Sequence, residues 1–178
     1  MILAGQMKKT SCDIAIIIIN YNSSEYTVKC VQSVLETLIP QAVDFKIIVV
    51  DNASEASDYK ILEENIKTLV SAQVSLFRSR INTGFGGGNM SGVQQIEASY
   101  YLFLNNDTIV KDTTIKTCFD FMEKTPDAAV CGAQIHNEHG QKEVSFDHFT
   151  SFSREVFGRK FVEMVYSKPK RRKTTPHR

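Results

Sequence analysis

Three short apolar runs in this chain stop abruptly at amides and carboxylates: IAIIIINYN from Ile14, FKIIVVDN from Phe45 and YYLFLNNDT from Tyr100. β-Branched and aromatic residues favour strands. Unbroken apolar runs of this length suit parallel strands buried on both faces. They are read as strands over Asp13–Asn20, Phe45–Val50 and Tyr100–Leu104, with Val74–Phe77 and Ala128–Ile135 as two more. The segments between them have helical spacing. Ser24 is read as the N-cap of a helix to Leu38, with Val28, Val31, Val34, Leu35 and Leu38 on one face. A second helix is expected over 57–70, with Ile61, Leu62, Ile66 and Leu69 inward. A glycine-rich loop from Asn82 to Gly88 precedes a short helix to Ala98. Asp112 is read as the cap of a helix from Thr113 to Glu123. Strands alternating with helices predict an α/β fold, a mostly parallel twisted sheet flanked by helices.

In a parallel sheet all strands end on one edge, where open α/β sheets place their ligands. Asn20-Tyr21-Asn22, Asp51-Asn52 and Asn105-Asn106-Asp107 would therefore share one rim, with the loop INTGFGGGN beside them. Each cluster alone is an ordinary turn composition. A fold needs turns there, but it does not need so many amides and carboxylates, and their convergence predicts a ligand site. Asp107, a strand-end carboxylate beside the amides Asn105 and Asn106, suits a hard divalent cation that also touches phosphate oxygens. Two other nucleotide motifs are excluded. A G-x-G-x-x-G fingerprint starting at Gly84 would need glycine where Asn89 stands, and the first βα turn has no glycine. No Gly-Lys-Ser or Gly-Lys-Thr occurs, so there is no Walker A loop.

With 178 residues, one domain or one domain with an extension is expected. A chain this long buries roughly 70% of its unfolded surface and needs no disulfide or metal staple. Net charge is +1, but residues 168–178 hold six of the 21 Lys and Arg and no acid. The tail is read as a solvated basic segment, available for peripheral contact with an anionic membrane, and no nucleic-acid partner is expected. Cys12, Cys30, Cys118 and Cys131 lack metal-site spacing and are read as buried free thiols in a reducing compartment. The longest unbroken apolar run, Ile14 to Ile19, falls well short of the ~18 residues that span a bilayer. Asp13 interrupts any signal-peptide reading of the N-terminus. A cytoplasmic location is expected.

The segments IAIIIINYNS, FKIIVVDNAS, NTGFGGGNMSG and YLFLNNDT, in that order, resemble the nucleotide-binding half of family 2 glycosyltransferases of GT-A fold, and most of all the rhamnosyltransferase-like members. The likeness covers residues 13–108 and continues to about Ile135. It implies a Rossmann-like nucleotide-diphospho-sugar transferase fold and an inverting transfer of a sugar, rhamnose by the nearest likeness, from a UDP-, dTDP- or GDP-sugar. The acceptor would be a glycan or polyprenol-linked saccharide in cell-surface polysaccharide synthesis. It also implies roles. Tyr21 would lie against the base, and Asp51 would bond base or ribose. Asn82 and the loop from Gly84 to Asn89 would line the nucleotide-sugar pocket. Asn105-Asn106-Asp107 takes the place of the family's Asp-x-Asp motif, with Asn106 at the donor and Asp107 on Mg²⁺ or Mn²⁺. Asn105 departs from the usual first Asp, which removes one negative charge from the metal site.

The resemblance divides the chain into an extension (1–12), the nucleotide-sugar-binding domain (13–135), the start of an acceptor-side region (136–167) and the basic tail (168–178). The family's general base belongs to an acidic pair in the acceptor half, and no matching pair follows Ile135. Glu143, Asp147, Glu155 and Glu163 are candidates by residue type only, so the base is left unassigned. A truncated module that binds nucleotide-sugar without transferring it is the alternative expectation. His136, His139 and His148 are read as turn or surface residues. Residues 151–166 are read as a final helix rich in phenylalanine.

Overall fold

The structure is a computed structural model that describes residues 11–69, 71–137 and 139–143. The expected final helix, the tail, Asp147, His148, Glu155 and Glu163 lie outside the described residues. The chain divides into two compact units, Met1–Ala133 and Gln134–Arg178.

In the first unit, strands β1 (Ser11–Asn20), β2 (Phe45–Asp51), β3 (Val74–Arg78) and β4 (Glu97–Leu104) form one sheet in the order β3-β2-β1-β4. All three pairings are parallel. Helices α1 (Ser24–Leu38), α2 (Ala56–Thr68) and α3 (Gly84–Val93) connect successive strands, and α4 (Thr114–Lys124) follows β4. The fold is the expected α/β sheet flanked by helices.

The central strand explains the arrangement. Ala15 to Ile18 are fully buried, so β1 is covered on both faces. Ile14, Ile16 and Ile18 join Val31, Val34, Leu35 and Leu38 of α1, Leu62 of α2 and Ile115 of α4 in one core. Ala15 and Ile17 face the other way, into a smaller core with Val50, Ile96 and Val93 of α3. Each buried isoleucine contributes roughly 1.5–3 kcal/mol relative to exposure.

Several expectations need correction. The glycine-rich segment is a helix from Gly84, not a loop. Close packing overrides glycine's poor helix propensity here. A Cβ on Gly92 would lie 2.5 Å from Ile17 Cγ2 and 3.2 Å from Val50 Cγ2, and one on Gly88 would lie 3.2 Å from Ile19 Cδ1. Only glycine lets α3 lie this close to β1 and β2. Strand β4 is not buried on both faces, because it forms the sheet edge: Leu102 and Leu104 pack inward, while Tyr101 and Phe103 are exposed. The run from Ala128 to Ile135 forms no strand. Ala128, Ala129, Gly132 and Ala133 give it little to bury, and Val130 and Ile135 are exposed.

On α2, Leu62, Ile66 and Leu69 pack inward but Ile61 is exposed, one step around the helix from that stripe. Neither expected cap stands. Helix α1 starts at Ser24 with Ser23 before it, and α4 starts at Thr114 with Thr113 before it; neither preceding side chain makes a cap bond. Cys12 and Cys30 are buried as expected, whereas Cys118 and Cys131, outside the sheet layers, are partly exposed. In the second unit, His136 pairs with Lys142 in a single antiparallel bridge around Gly140, whose φ is +74°. No helix among the described residues is long and apolar enough to cross a membrane.

Two glycines of α3 give opposite expectations. Gly92→Ala inserts a methyl group where none fits, and should destabilise by about 1–3 kcal/mol. A Cβ on Gly86 meets nothing within 4 Å, so Gly86→Ala should stabilise by roughly 0.5–1 kcal/mol. Urea midpoints at equal slope measure both.

Candidate functional site

Register places the strand ends side by side. Asn20 pairs with Asp51, Asp51 with Arg78, and Ile18 with Leu104, so the turns after β1, β2 and β4 emerge on one rim. Asn22 and Ala53 take φ of +50° and +65°, which bends the first two turns sharply toward each other. Ser54 Oγ then accepts from the Asn22 backbone N–H at 2.9 Å.

Beneath the rim is a layer of buried polar groups. Asn20 Nδ2 lies 3.0 Å from Asp51 Oδ1, 3.0 Å from Ser54 Oγ and 2.9 Å from Asp58 Oδ2. Its Oδ1 accepts from Thr27 Oγ1 at 2.7 Å. Asp58, in the first turn of α2, also accepts the Ser24 N–H at 3.0 Å. It therefore caps α1 from another helix, which is why neither Ser23 nor Ser24 needs to. Partial burial pushes the Asp58 carboxyl up, but the hydrogen bonds from Asn20, Ser24 and Ser23 outweigh it and hold its pKa below the ordinary value. Asp51 is fully buried, with Arg78 Nε 3.3 Å from its Oδ2. Arg78 in turn donates to Ser54 O and stacks 4.0 Å from the Tyr59 ring centre.

The turn after β4 is strapped along one face of α1. Asn106 Nδ2 donates to Ser23 Oγ at 2.7 Å and to Thr27 Oγ1 at 2.9 Å. Cys30 Sγ donates to Asn105 O at 3.6 Å, and Ser33 Oγ accepts the Val110 N–H at 3.0 Å. Ser23, Thr27, Cys30 and Ser33 follow helical spacing, so a single stripe fixes the segment that carries Asp107.

Opposite, Asn52 holds the entry to α3. Its Nδ2 donates to Asn82 Oδ1 and Gly84 O, and its Oδ1 accepts from both the N–H and the hydroxyl of Thr83.

Above these anchors is an open hollow of about 340 Å³. Of the residues predicted from sequence, Tyr21, Asn82, Gly84, Asn106 and Asp107 line it together. Asp51 and Asn89 do not. Asp51 lies in the layer below, and Asn89 is buried with its amide bonded to Phe85 O inside α3. Phe85 and Asn52 also line the hollow. Phe85 belongs to the Gly84–Asn89 segment that the resemblance placed at the pocket, and Asn52 stood in a flagged strand-end cluster. Tyr21 and Phe85 are 51% and 62% exposed. A second hollow, about 520 Å³, is lined by Ala53, Ser54, Arg78, Ser79 and Arg80. Its lining comes from the turns after β2 and β3 with Arg78, which Asp51 already engages.

Residues 15–176 match the model of glycosyl transferase family 2. The chain belongs to that family. It is 27% identical over 111 residues to a chondroitin synthase of Escherichia coli, covering 62% of this chain and 15% of the relative. It is 26% identical over 94 residues to a teichoic acid poly(glycerol phosphate) polymerase of Staphylococcus epidermidis, covering 53% and 12%. The chain thus spans a small part of these relatives' length. Among solved structures it is similar to S. aureus TarS 1–349, alone and in complex with UDP. Each gives a TM-score of 0.54 at 22% identity, over 64% of this chain and 33% of that one. This likeness shows the GT-A fold, as the sheet order and helical layers do.

The strapped turn carries a testable consequence. Burial, and secondarily the Asp107 charge, push the Cys30 thiol up to about 12. At pH 8 its thiolate fraction is then about one in ten thousand, against roughly a quarter for a free thiol. Iodoacetamide at pH 8 should leave Cys30 unmodified until the protein unfolds, as peptide mass mapping would show. Labelling at the rate of a free thiol would mean that the turn does not shield it.

Proposed function

We propose that the hollow holds a nucleotide-sugar donor, and that the protein takes part in metal-dependent transfer of that sugar to a glycan or lipid-linked acceptor in cell-surface polysaccharide synthesis. The observation that carries this reading is the meeting of Tyr21, Asn82, Gly84 and Asp107 around one hollow in a family 2 domain. The UDP complex of a protein with the same fold supports a nucleoside diphosphate as the bound moiety. The relatives named for chondroitin and teichoic acid support a surface polymer as the product class. Rhamnose as the sugar rests on the likeness of the four segments to rhamnosyltransferase-like members.

The residues suit the parts of such a donor. Tyr21 offers an exposed ring to a planar base. Gly84 and Phe85 open α3; the Gly84 N–H is taken by Asn82 Oδ1 at 2.8 Å, and the N–H groups of the turn beyond it suit phosphate oxygens. Asp51 Oδ2 has no hydrogen bond besides its contact with Arg78. It is fully buried below the hollow, so it would meet a base N–H or a ribose hydroxyl only with the rim turns above it parted.

The metal fit rests on the donor set. Among the described residues no group of three His, Cys, Asp or Glu could hold an ion by itself. Asp107 is exposed beside Asn105, and the Asn106 Nδ2 hydrogens are given to Ser23 and Thr27. One carboxylate with open coordination fits Mg²⁺ or Mn²⁺ that arrives with a diphosphate, not a resident ion. Asp107 would hold it, and the cation would supply charge stabilisation to the departing nucleoside diphosphate.

Two substitutions test the reading by calorimetry with UDP, dTDP and GDP, with and without Mn²⁺. Asp107→Ala should abolish the Mn²⁺-dependent part of binding and leave the unfolding midpoint near the parent's. Equal Mn²⁺-dependent affinity would remove Asp107 from the site. Asp51→Asn keeps the shape but loses the charge. Loss of a charged hydrogen bond costs roughly 1.5–3 kcal/mol, so binding should weaken about tenfold or more. Unchanged affinity would confine Asp51 to the framework.

A further inference from the structure

We propose that Thr27 is a positioning residue of this site, setting the turn that carries Tyr21 and the turn that carries Asp107 relative to each other. The proposal rests on the donor-site reading above. Thr27 is fully buried and lines no part of the hollow. Its hydroxyl accepts from Asn106 Nδ2 at 2.9 Å and donates to Asn20 Oδ1 at 2.7 Å. Asn106 precedes Asp107, and Asn20 precedes Tyr21. One oxygen atom therefore joins the end of β4 to the end of β1 by two short hydrogen bonds.

Ser23 makes a parallel link, since Asn106 donates to it at 2.7 Å. Its own bond to Asn20 Oδ1 is 3.5 Å long, the weak limit of a hydroxyl bond. Ser23 also faces the hollow. Thr27 is thus the stronger link and the one out of reach of any ligand. The hydroxyl also lies 3.3 Å from Ser23 O, the ordinary back-bond of a helical threonine, but its single hydrogen is better placed for the closer Asn20 Oδ1 at 2.7 Å. A buried valine fills the same volume and needs no partner, whereas a buried hydroxyl is tolerated only when bonded. The pair of bonds gives the position its chemical type.

Three variants and two measurements decide the matter. Thr27→Val removes the hydroxyl at constant shape, and Thr27→Ser retains it. Asn106→Ala breaks the same link from the exposed end and keeps the test available if Thr27→Val does not fold. The first measurement is amide hydrogen exchange without ligand. In Thr27→Val, Asn22 and Ser24 after β1 and Thr108 and Val110 after β4 should lose protection together, while β1 and β2 keep theirs. The second is Mn²⁺-dependent affinity for whichever of UDP, dTDP and GDP the parent binds tightest. It should fall about five- to tenfold in Thr27→Val, the value of one or two neutral hydrogen bonds, and stay within twofold of the parent in Thr27→Ser. A lower melting temperature with parent-like affinity and unchanged exchange at both turns would make Thr27 a framework residue and overturn the proposal. If the parent binds none of the three nucleotides, the functional reading fails, and the exchange result still decides whether Thr27 couples the two turns.

Discussion

The side-chain amide of Asn20 is where four elements meet. It ends β1 and touches the end of β2 through Asp51, the β2–α2 turn through Ser54, α2 through Asp58 and α1 through Thr27. A buried amide has to be satisfied, because leaving it unpaired costs about 1–3 kcal/mol. Here the requirement works as a constraint on shape. Each partner must stand within 3.0 Å of one small group, so the turns after β1 and β2 cannot move independently. The isoleucines behind Asn20 make the anchor firm. With Ala15 to Ile18 sealed on both faces, the end of β1 has no slack to give.

A second constraint acts from the other face of the sheet. Gly88 and Gly92 lie four residues apart on the side of α3 that meets Ile17, Ile19 and Val50. Their missing methyl groups bring the helix down onto the strands. Its first residues consequently reach the same rim that α1 borders from the opposite face. Asn52 completes the arrangement, since one buried amide bonds Asn82, Thr83 and Gly84 in succession. The hollow is thus bounded by one helix whose polar stripe holds the Asp107 turn and another whose glycines admit close packing. Neither boundary depends on the exposed aromatic residues, so Tyr21 and Phe85 stand free above a fixed floor.

The parallel sheet was legible because β1 and β2 are apolar in a way that only double burial explains. The rim was legible because register follows from that parallel order. Burial was misread where the same composition serves a different place. Tyr100–Leu104 looks as apolar as a central strand, yet it stands at the sheet edge, and alternate residues face outward. Nothing local in an apolar run marks it as an edge. The glycine segment misled for the converse reason: its local preference is for a loop, and the partner that overrides it is more than sixty residues earlier, at Ile17 and Ile19. Ala128–Ile135 failed as a strand because small residues raise apolar content without supplying area to bury. The Asp58 cap of α1 was invisible for want of any sequence-local sign, since its acceptor comes from the next helix.

The amides and carboxylates of the rim sort into two kinds that composition does not distinguish. Asn20, Asp51 and Asn52 are buried and spend most of their hydrogen-bonding capacity within the protein. Asn105 and Asp107 are exposed, and their side chains make no bond within the protein among the described contacts. Asn106 stands between, facing the hollow but with both amide hydrogens given to α1. Burial rather than residue type therefore assigns the roles. A carboxylate left open at the end of a firmly held turn can meet a cation without rearranging the fold, because its neighbours have already been ordered. In the proposed donor site, a cation affinity lowered by the amide at Asn105 would be partly offset, because Asp107, the opening of α3 and Tyr21 stand on turns fixed before any ligand arrives.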